Sequence, residues 1–422
     1  MSEKIIRDPV HDVIVLHTDR PLEALLFRLL NAPQVQRLRR VRQLGMASLA
    51  YPGADHSRYS HSLGVMETAR KMIDRLRFLF KIDPQAEAVC LVAALLHDLG
   101  HGPFSHVFER ITGLSHEWMT QQIIEDSSSE LHALLREFDV HLPAQIGQLL
   151  NCLPRRTFYN DILASQLDAD RFDYLLRDNL MTGSQYGGFD LNWLIQAITI
   201  DEASDRLAVT AKGISAVEDY LQARYHMYRN VYFHKVVRSA EGMVKLALQR
   251  AGRLAIQERL TWPPREHVVH KALLGQALSP REFNDLDDIS IMHCFKVWAD
   301  GDDATLANLC RGLLFRRLYK VIDLSAVESD IELEDIVATA SDLVKKAGGD
   351  ADYDLFLDQP HRDEEGFGSA DAILVKRPDG KITHFAANSP LVNALNQQLT
   401  FQRLHINEQY RDLVRQKLAH LQ

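Results

Sequence analysis

The stretch 88-AVCLVAALLHDLGHGPFSH-106 decides the fold of this 422-residue chain. Residues 88–96 are apolar without interruption, which predicts a helix buried on every side rather than an amphipathic surface helix. Pro84 suits the first turn of that helix, and Gly100 and Gly102 break the pattern that follows it. The sequence therefore predicts a helical core organised around this segment.

Imidazole and carboxylate side chains follow the buried helix at once: His97, Asp98, His101 and His106. An unpaired carboxylate at the inner end of such a helix would cost several kcal/mol. Asp98 must therefore be hydrogen-bonded, ion-paired or bound to a metal. An ordinary hydrophobic core rarely contains so many imidazole side chains close together, so this segment is a candidate functional site.

Composition bounds the class of protein. Apolar residues make up 46% and charged residues 25% of the chain, as in a globular protein of roughly two or three domains. The net charge of −9 argues against nucleic acid as a partner, because phosphate-binding surfaces are usually basic. The four cysteines form no CxxC pair, which indicates reduced thiols and a cytoplasmic location. No apolar run approaches the roughly 20 residues that span a bilayer, so no membrane association is expected.

The predicted fold is mainly α, with a helical core over residues 1–265 and a smaller α+β region over 266–422. The patterns of the core predict a strand at 13–16 and helices at 21–30, 34–44, 61–80 and 116–125. Those of the second region predict helices at 290–298 and 304–311, a strand at 318–324, a hairpin with arms 371–376 and 381–386, and a closing helix at 403–420. We expect the second region to pack on the core and to contribute to oligomer contacts.

Three segments admit two interpretations each. The arginines of helix 34–44 fit either a solvated face or a phosphate contact: Arg37, Arg39, Arg40 and Arg42. In 163–179, one helical face carries either structural salt bridges or a ligand site: Asp170, Tyr174, Arg177 and Asp178. In 217–238, one stripe fits either a phosphorylated, ring-bearing ligand or an aromatic interface: Arg224, Tyr228, Tyr232 and Lys235.

A transition-metal site draws imidazole and carboxylate ligands from several helices. The sequence offers four in the order H…HD…D: His61, His97, Asp98 and Asp170. A sulfur-free set of two nitrogens and two oxygens favours Fe, Mn, Zn, Ni or Co, with Mg as a candidate second ion. Such an ion makes bound water acidic near neutral pH. His106 and His116 are then candidates for proton transfer.

The H…HD…D order resembles the HD-domain phosphohydrolase superfamily. Longer phrases are similar to the deoxynucleoside-triphosphate (dNTP) triphosphohydrolases of the animal SAM-and-HD-domain type and their bacterial relatives: DPVHD (8–12), LRRVRQLG (38–45), YPGADHSRYSHSLG (51–64), HDLGHGPFSH (97–106), DADRFDYLLRD (168–178) and YFHK (232–235). The strong motifs cover about residues 4–240. The resemblance implies an HD-domain helical core and cleavage of a dNTP to the deoxynucleoside and inorganic triphosphate.

The resemblance also implies catalytic roles. Metal-activated water attacks the α-phosphorus, and His106 protonates the leaving 5′ oxygen. Glu109, where the family more usually has Asp, orients His106, and His116 completes the dyad. His101 and Arg58 contact the α-phosphate region.

The same resemblance assigns the remaining substrate contacts. Arg171, where the family often has Lys, holds the triphosphate together with Tyr174 and Arg224. The sugar is enclosed by four residues: Gln43, Leu44, Asp178 and Tyr232. Gln43 and Asp178 bind the 3′-hydroxyl, while Tyr232 leaves no space for a 2′-hydroxyl and thereby selects dNTP over NTP.

Regulation is a further implication, since the family is commonly a tetramer activated by nucleotides bound between subunits. We expect a homo-oligomer, a dimer or tetramer. Lys4 and Arg39 match positions that contact an activating guanine nucleotide, while Asn31 stands where an Asp normally reads guanine. At the neighbouring activator site three cations are retained, Lys212, Lys235 and Arg316, whereas Trp193 and Thr210 replace basic residues.

Two rival functions are a phosphohydrolase of another nucleotide and a nucleotide sensor without turnover. The acidic pair of guanosine-tetraphosphate hydrolases and the GYP element of cyclic-dinucleotide phosphodiesterases are absent from the sequence. A sensor would be expected to lose one of five residues that all stand here: His61, His97, Asp98, His106 and Asp170.

Overall fold

The structure is a computed structural model that describes residues 2–263, 267–327, 329–359, 373–389, 391 and 401–418. The side chains of His106 and His267 lie outside that description. The fold is mainly α, as predicted, with small sheets. Within the described ranges, no helix is both long enough and apolar enough to cross a bilayer.

The helices before residue 200 build the predicted core. They are α1 Pro21–Asn31, α2 Pro33–Arg37, α3 Arg58–Leu79, α4 Pro84–Leu96, α5 His106–Thr112, α6 His116–Glu125, α7 Glu130–Phe138, α8 Leu142–Leu150, α9 Phe158–Leu163, α10 Ala169–Thr182 and α11 Leu191–Ala197.

The later helices begin with α12 and α13, which a single π-helical turn, Tyr228–Tyr232, separates. They are α12 Ile214–Met227, α13 Lys235–Ile256, α14 His267–Leu273, α15 Pro280–Phe283, α16 Asp288–Trp298, α17 Ala304–Leu314, α18 Asp330–Lys346, α19 Ala351–Asp354 and α20 Glu408–Leu418.

The described strands form three small sheets with the strand orders β1–β2, β3–β4–β7–β8 and β5–β9–β6. The strands are β1 Glu3–Asp8, β2 Asp12–His17, β3 Ile198–Asp201, β4 Arg206–Thr210, β5 Lys320–Asp323, β6 Leu355–Asp358, β7 Leu374–Lys376, β8 Ile382–His384 and β9 Arg403–Ile406. The predicted hairpin is present as antiparallel β7 and β8, although residues 371 and 372 lie outside the description. Strand β7 also pairs in parallel with β4.

The segment 88–96 folds as expected. Asp83 caps α4 by accepting a hydrogen bond from the backbone N–H of Ala86, and Pro84 occupies the first turn. Every residue of 88–96 is buried. Helices α3, α8 and α9 pack against α4, and α10 packs against α3. The end of α4 therefore points into the centre of a helical shell.

The sequence predictions were wrong at three places. The helix expected at 34–44 ends at Arg37, is followed by a short 3₁₀ turn, and becomes extended at Val41. The first part of the predicted helix 403–420 is strand β9, because it pairs with β5 and β6. The stripe in 217–238 is not one helix, since the π turn intervenes and Lys235 begins a new one.

Of the hydrophobic clusters among the described residues, the two largest hold most of these elements together. The larger runs from Ile14 to Phe385 and includes residues from both predicted regions. The smaller, from Ile322 to Leu418, joins α18 and α20 to the β5–β9–β6 sheet. The site therefore lies inside a helical core to which the later part of the chain also contributes.

Candidate active site

Three of the four predicted metal ligands meet where α3, α4 and α10 converge. One donor atom from each of His61, His97 and Asp170 lies within 4.8 Å of the others. An Asp170 oxygen lies 2.9 Å from His61 Nε2 and 3.8 Å from His97 Nε2. Segments far apart in sequence thus deliver two imidazoles and a carboxylate to one point.

Asp98, the fourth predicted ligand, borders this cluster and is paired with Arg58. Its Oδ1 lies 3.3 Å from His97 Nε2, and its Oδ2 lies 3.8 Å from His61 Nε2. Arg58 Nη1 donates to Oδ2 at 2.5 Å. Burial opposes ionisation of Asp98, but the charge of Arg58 and contacts with neighbouring histidines hold the carboxyl pKa well below its usual range. The buried carboxylate therefore has the partner that its position demands.

The orientation of the two imidazoles fits a divalent metal ion. Nδ1 of His97 lies 2.9 Å from the carbonyl oxygen of Ala94, and its buried Nε2 has no hydrogen-bond partner among the described residues. Nδ1 of His61 lies 2.8 Å from Asp173, which leaves Nε2 for the cluster. Metal-binding histidines commonly fix their outer nitrogen in this way. Nitrogen and oxygen donors without sulfur suit the transition metals favoured by the sequence.

The electrostatics of the cluster also favour a cation. Burial disfavours the charged form of His61, yet hydrogen bonds with Asp170 and Asp173 raise its pKa to about 10. Burial likewise opposes ionisation of Asp170, but contacts with His61 and His97 lower its pKa. The carboxylates thus stabilise positive charge at the point where an ion would sit.

Behind the cluster, Asp173 connects His61 to the β1–β2 arm. This buried carboxylate lies 2.7 Å from His11 Nε2 and accepts hydrogen bonds from Arg177 at 2.8 and 2.9 Å. Arg177 also donates to Asp8 at 2.8 Å. Sequence reasoning did not assign Asp173, although its place one helical turn after Asp170 puts both on the side of α10 that faces α3. The DPVHD phrase is now explained, because its Asp8 and His11 belong to this network.

Gly64 of α3 gives a first testable prediction, because it faces the Asp173–Arg177 pair. A Cβ at this position would lie 1.9 Å from Asp173 Oδ1 and 2.3 Å from Arg177 Nη2. We expect Gly64→Ala to force the pair apart and to reduce the free energy of unfolding by about 1–3 kcal/mol, measured by urea denaturation.

The matched control is Gly252→Ala in α13, where the added Cβ would make only ordinary contact, at 3.5 Å from the carbonyl oxygen of Leu273. That change should be neutral or stabilising, because Ala is the better helix former. Equal stabilities for the two variants would contradict the proposed crowding at the Asp173–Arg177 pair.

A line of imidazoles leads away from the metal cluster. The rings of His101 and His116 stack with centroids 4.1 Å apart. Nε2 of His101 lies 3.2 Å from Asp98, and Nδ1 of His116 lies 3.0 Å from Glu109. Burial and the charge of Arg58 lower the pKa of His101 well below its usual value, so this ring is neutral near pH 7. Glu109, which the resemblance places beside His106, thus contacts His116 in the described part of the structure.

The loop that carries these residues has an unusual backbone. Phe104 and Ser105 both have positive φ, at 51° and 52°. Non-glycine residues rarely adopt this region, and such strain often marks functional sites. Ser105 Oγ accepts hydrogen bonds from Arg58 at 2.7 and 3.1 Å, which ties the loop to the Asp98 pair. The next residue, His106, begins α5; its predicted role concerns a side chain outside the described part.

A cavity of about 1050 Å³ opens beside the cluster. Its lining includes most of the predicted site residues: Gln43, Leu44, Arg58, His61, His97, Asp98, His101, Glu109, His116, Asp170, Tyr174, Asp178 and Tyr232. Gln43 Oε1 is buried there without a hydrogen-bond partner among the described residues. A buried acceptor of this kind requires a polar ligand or water. The cavity is therefore suited to a large, polar molecule.

Asp178 and the tyrosines form one wall of that cavity. Oδ1 of Asp178 lies 2.7 Å from His56 Nε2, and Oδ2 accepts from the Tyr232 hydroxyl at 2.8 Å. The rings of Tyr174 and Tyr232 meet edge to face at 6.2 Å. His56 belongs to the 51–64 phrase and had no role assigned from the sequence, and its contact with Asp178 shows what it does. Both oxygens of Asp178 are therefore held by neighbouring side chains.

Arg171 and Arg224 are not among the residues that line the cavity in this structure. Arg171 bonds to Asp168 and to the carbonyl oxygen of Ser165. Arg224 Nη1 donates to Gln166 Oε1 at 2.7 Å. Both arginines are thus held by the turn that precedes α10, and their assignment to the triphosphate stays a prediction.

Two of the arginines in 34–44 make contacts with other parts of the fold. Arg37 is buried and donates to the carbonyl oxygens of Leu99, His101 and Leu286, so neither interpretation of the run describes it. Arg39 stacks at 3.6 Å over the ring of Tyr59.

The other predicted activator-site residues lie outside the catalytic cavity. Lys4 lies 5.3 Å from the ring of Phe27, and Asn31 donates to the Phe27 carbonyl oxygen at 2.8 Å. Lys212 and Lys235 are exposed, and Arg316 donates to the carbonyl oxygen of Leu49 at 2.7 Å. Their role in nucleotide binding stays a prediction.

The helical shell around the His61–His97–Asp170 cluster is that of an HD-type helical core. Residues 58–178 match the model of the HD domain, and residues 189–260 match the HD associated region. The chain belongs to the HD-domain phosphohydrolase family, as the sequence motifs indicated.

Similar proteins agree with this placement over nearly the whole chain. The uncharacterized protein YwfO of Bacillus subtilis is 34% identical over 94% of this chain and 90% of its own length. The deoxynucleoside triphosphate triphosphohydrolase SAMHD1 homolog of Dictyostelium discoideum is 29% identical over 84% of this chain and 67% of its own. A solved phosphohydrolase from Bacteroides thetaiotaomicron is 28% identical, with a TM-score of 0.82 over 96% of this chain and 99% of that one.

Proposed function

We propose that this protein hydrolyses deoxynucleoside triphosphates to the deoxynucleoside and inorganic triphosphate, with a divalent transition metal as cofactor. One observation carries the proposal: the His61–His97–Asp170 cluster opens onto a large cavity whose polar lining includes His101, His116 and Glu109. The similarity to the Dictyostelium enzyme supports the choice of substrate.

The metal ion would be held by His61, His97, Asp98 and Asp170. When bound, such an ion supplies Lewis acidity at the α-phosphate and lowers the pKa of water to near neutrality. Arg58 adds a fixed cation beside the same carboxylates. Neutral His101 has a single N–H, which faces the Asp98 carboxylate at 3.2 Å, so Asp98 fixes the position of this ring beside the α-phosphate region.

The chemical step replaces one P–O bond by another. Water attacks the α-phosphorus, the bond to the 5′ oxygen breaks, and that oxygen takes up a proton as it leaves with the deoxynucleoside. The attacking oxygen remains in the triphosphate. We assign the proton donor to His106 on the strength of the family resemblance, with Glu109 and His116 orienting the donor through the hydrogen bond that joins them.

Sugar recognition follows from the wall around Asp178. Its carboxylate is fixed on both oxygens by His56 and Tyr232, so it can accept from a 3′-hydroxyl with little loss of side-chain freedom. Gln43 Oε1 adds an acceptor that is buried and has no partner among the described residues. The family resemblance gives the Tyr232 ring the role of leaving no space for a 2′-hydroxyl, which would favour dNTP over NTP.

The product distribution tests this function. The protein is incubated with each dNTP and Mn(II), and the products are resolved by anion-exchange chromatography. Deoxynucleoside and triphosphate in equal amounts support the proposal. Diphosphate or monophosphate products would instead favour a phosphohydrolase of the rival type, and unchanged dNTP would favour a nucleotide sensor.

Glu109→Gln tests the acid–base arrangement. The amide keeps the size of the side chain but loses the charge that orients His116. We expect kcat for dNTP hydrolysis to fall by about 10²-fold, because positioned proton transfer contributes about 10²–10⁴-fold, while KM changes little. A chemically identical change at an exposed position of α18 that does not line the cavity, Glu334→Gln, should leave kcat within about twofold, as expected for a surface substitution.

We further propose a homo-oligomer regulated by a nucleotide. Lys4, Asn31 and Arg39 form one candidate contact set, and Lys212, Lys235 and Arg316 form the other. An assay of dATP hydrolysis with and without GTP, with the oligomeric state followed by light scattering, tests both points. A monomeric protein whose rate of dATP hydrolysis is unchanged by GTP or by any other added dNTP would contradict this proposal.

A further inference from the structure

Residues Leu286–Asp288, just before and at the start of α16, contact two of the segments that shape the candidate active site, and we name them the clasp. The clasp lies in the predicted C-terminal region, far in sequence from the metal ligands. Arg37 links its Leu286 carbonyl oxygen to the carbonyl oxygens of Leu99 and His101. Its Asp287 carboxylate lies 2.5 Å from Arg40. The central contacts are those of Asp288.

Asp288 is 5% exposed and uses both of its oxygens on backbone N–H groups of two different loops. Oδ1 accepts from the N–H of Phe104 at 2.9 Å, and Oδ2 accepts from the N–H of Arg42 at 2.9 Å. Burial raises the pKa of Asp288 to about 6, against the effect of these two donors. Burying an ionised carboxylate at this position is energetically unfavourable, and the two hydrogen bonds from backbone N–H groups offset that cost.

Each of these two N–H groups adjoins a residue of the site. On one side, Phe104 precedes Ser105, whose hydroxyl holds Arg58, and Arg58 holds Asp98. On the other side, Arg42 precedes Gln43, which lines the cavity.

The strained backbone makes the first contact important. Phe104 and Ser105 both have positive φ, a conformation that persists only where the surroundings enforce it. Asp288 supplies a fixed acceptor at the first of them, and Phe295 of the same helix stacks parallel to the Phe104 ring at 6.3 Å. Helix α16 is therefore the template on which this turn is held.

We propose that Asp288 is a positioning residue of the active site, whose carboxylate holds the 41–45 and 99–105 loops in the arrangement that presents Arg58, His101 and Gln43 to the substrate. The effect on turnover rests on the proposed dNTP hydrolysis. The effect on the loops does not, because it concerns only the hydrogen bonds of two backbone amides.

The test compares Asp288→Ala and Asp288→Asn with Asp303→Ala. Asp303 is a suitable control because it too lies at a helix N-terminus, accepts from the Leu306 N–H at 2.9 Å, and pairs with Arg250, but it contacts neither loop. Amide hydrogen exchange is followed by mass spectrometry on peptides that cover 40–46 and 99–108. Thermal unfolding and the kcat and KM for dNTP are measured on the same samples.

We expect Asp288→Ala to speed exchange in both loop peptides by at least about tenfold and to lower kcat by about 10–100-fold, as for other residues that orient a catalytic group. Asp288→Asn keeps one acceptor oxygen, so its losses should be intermediate, and it guards against the Ala variant failing to fold. Asp303→Ala should lower Tm without either change.

Unchanged exchange in the 99–108 peptide of the Asp288 variants would overturn the proposal, as would a fall in kcat no larger than that of Asp303→Ala. If the wild-type protein released no triphosphate from any dNTP, the proposed function would fail while the exchange result still decided the role of Asp288.

Discussion

Asp170→Asn is expected to lower dNTP turnover by more than about 100-fold, since even the residues that merely orient metal ligands cost about 10–100-fold when replaced. Asp170 contributes the carboxylate oxygen that lies 2.9 Å from His61 Nε2 and 3.8 Å from His97 Nε2. The Asn variant keeps the shape but loses the charge that attracts a divalent ion. Turnover is measured at saturating dNTP, and bound metal by inductively coupled plasma mass spectrometry.

The control for this variant is Asp190→Asn, a chemically identical change at the N-cap of α11, where Asn caps as well as Asp. Its metal content and turnover should equal those of the wild type. Full activity of the Asp170 variant with a normal metal content would remove Asp170 from the ligand set.

Asp173→Asn is expected to damage both the fold and the metal site. The carboxylate is fully buried among His11, His61 and Arg177, so an amide would place an N–H₂ group against donors and leave Arg177 with Asp8 as its remaining carboxylate partner in the described network. Breaking a buried charge pair typically costs about 3–5 kcal/mol. Metal affinity should fall by about 10–100-fold because the His61 ring loses its outer partner.

These two effects are measured separately, by urea unfolding of the metal-free protein and by calorimetric titration with Mn(II). The Asp190→Asn protein again serves as the control. A variant as stable as the wild type, with the same affinity for Mn(II), would show that the Asp173 network is incidental to the site.

The metal ligands could be predicted from the sequence because their chemistry is unusual for the places where they occur. His97 and Asp98 end a helix that is buried on all sides, and a carboxylate at that place must be hydrogen-bonded, ion-paired or bound to a metal. Glu109 and His116 were assigned through the family resemblance, which places both beside His106. Local sequence context thus limited the partners of Asp98, whereas those of Glu109 depended on the resemblance.

The features that sequence reasoning missed depend on partners that are distant along the chain. Arg37 looked like one member of a charged run, and only its contact with Leu286 shows that it is a buried structural residue. Residues 403–406 alternate polar and apolar side chains over too short a run to be separated from the helical pattern that follows, and they are extended because β5 and β6 lie on either side. The sequence around Asp288 does not indicate its role, because the backbone N–H groups of Arg42 and Phe104 approach it only in the folded protein.

Hydrolysis of a dNTP in water enriched in oxygen-18, with the products analysed by mass spectrometry, tests the central claim most directly. The account holds that the His61–His97–Asp98–Asp170 centre directs water to the α-phosphorus. It predicts inorganic triphosphate that carries one heavy oxygen and a deoxynucleoside that carries none. Heavy oxygen in the deoxynucleoside, or products other than triphosphate, would contradict it.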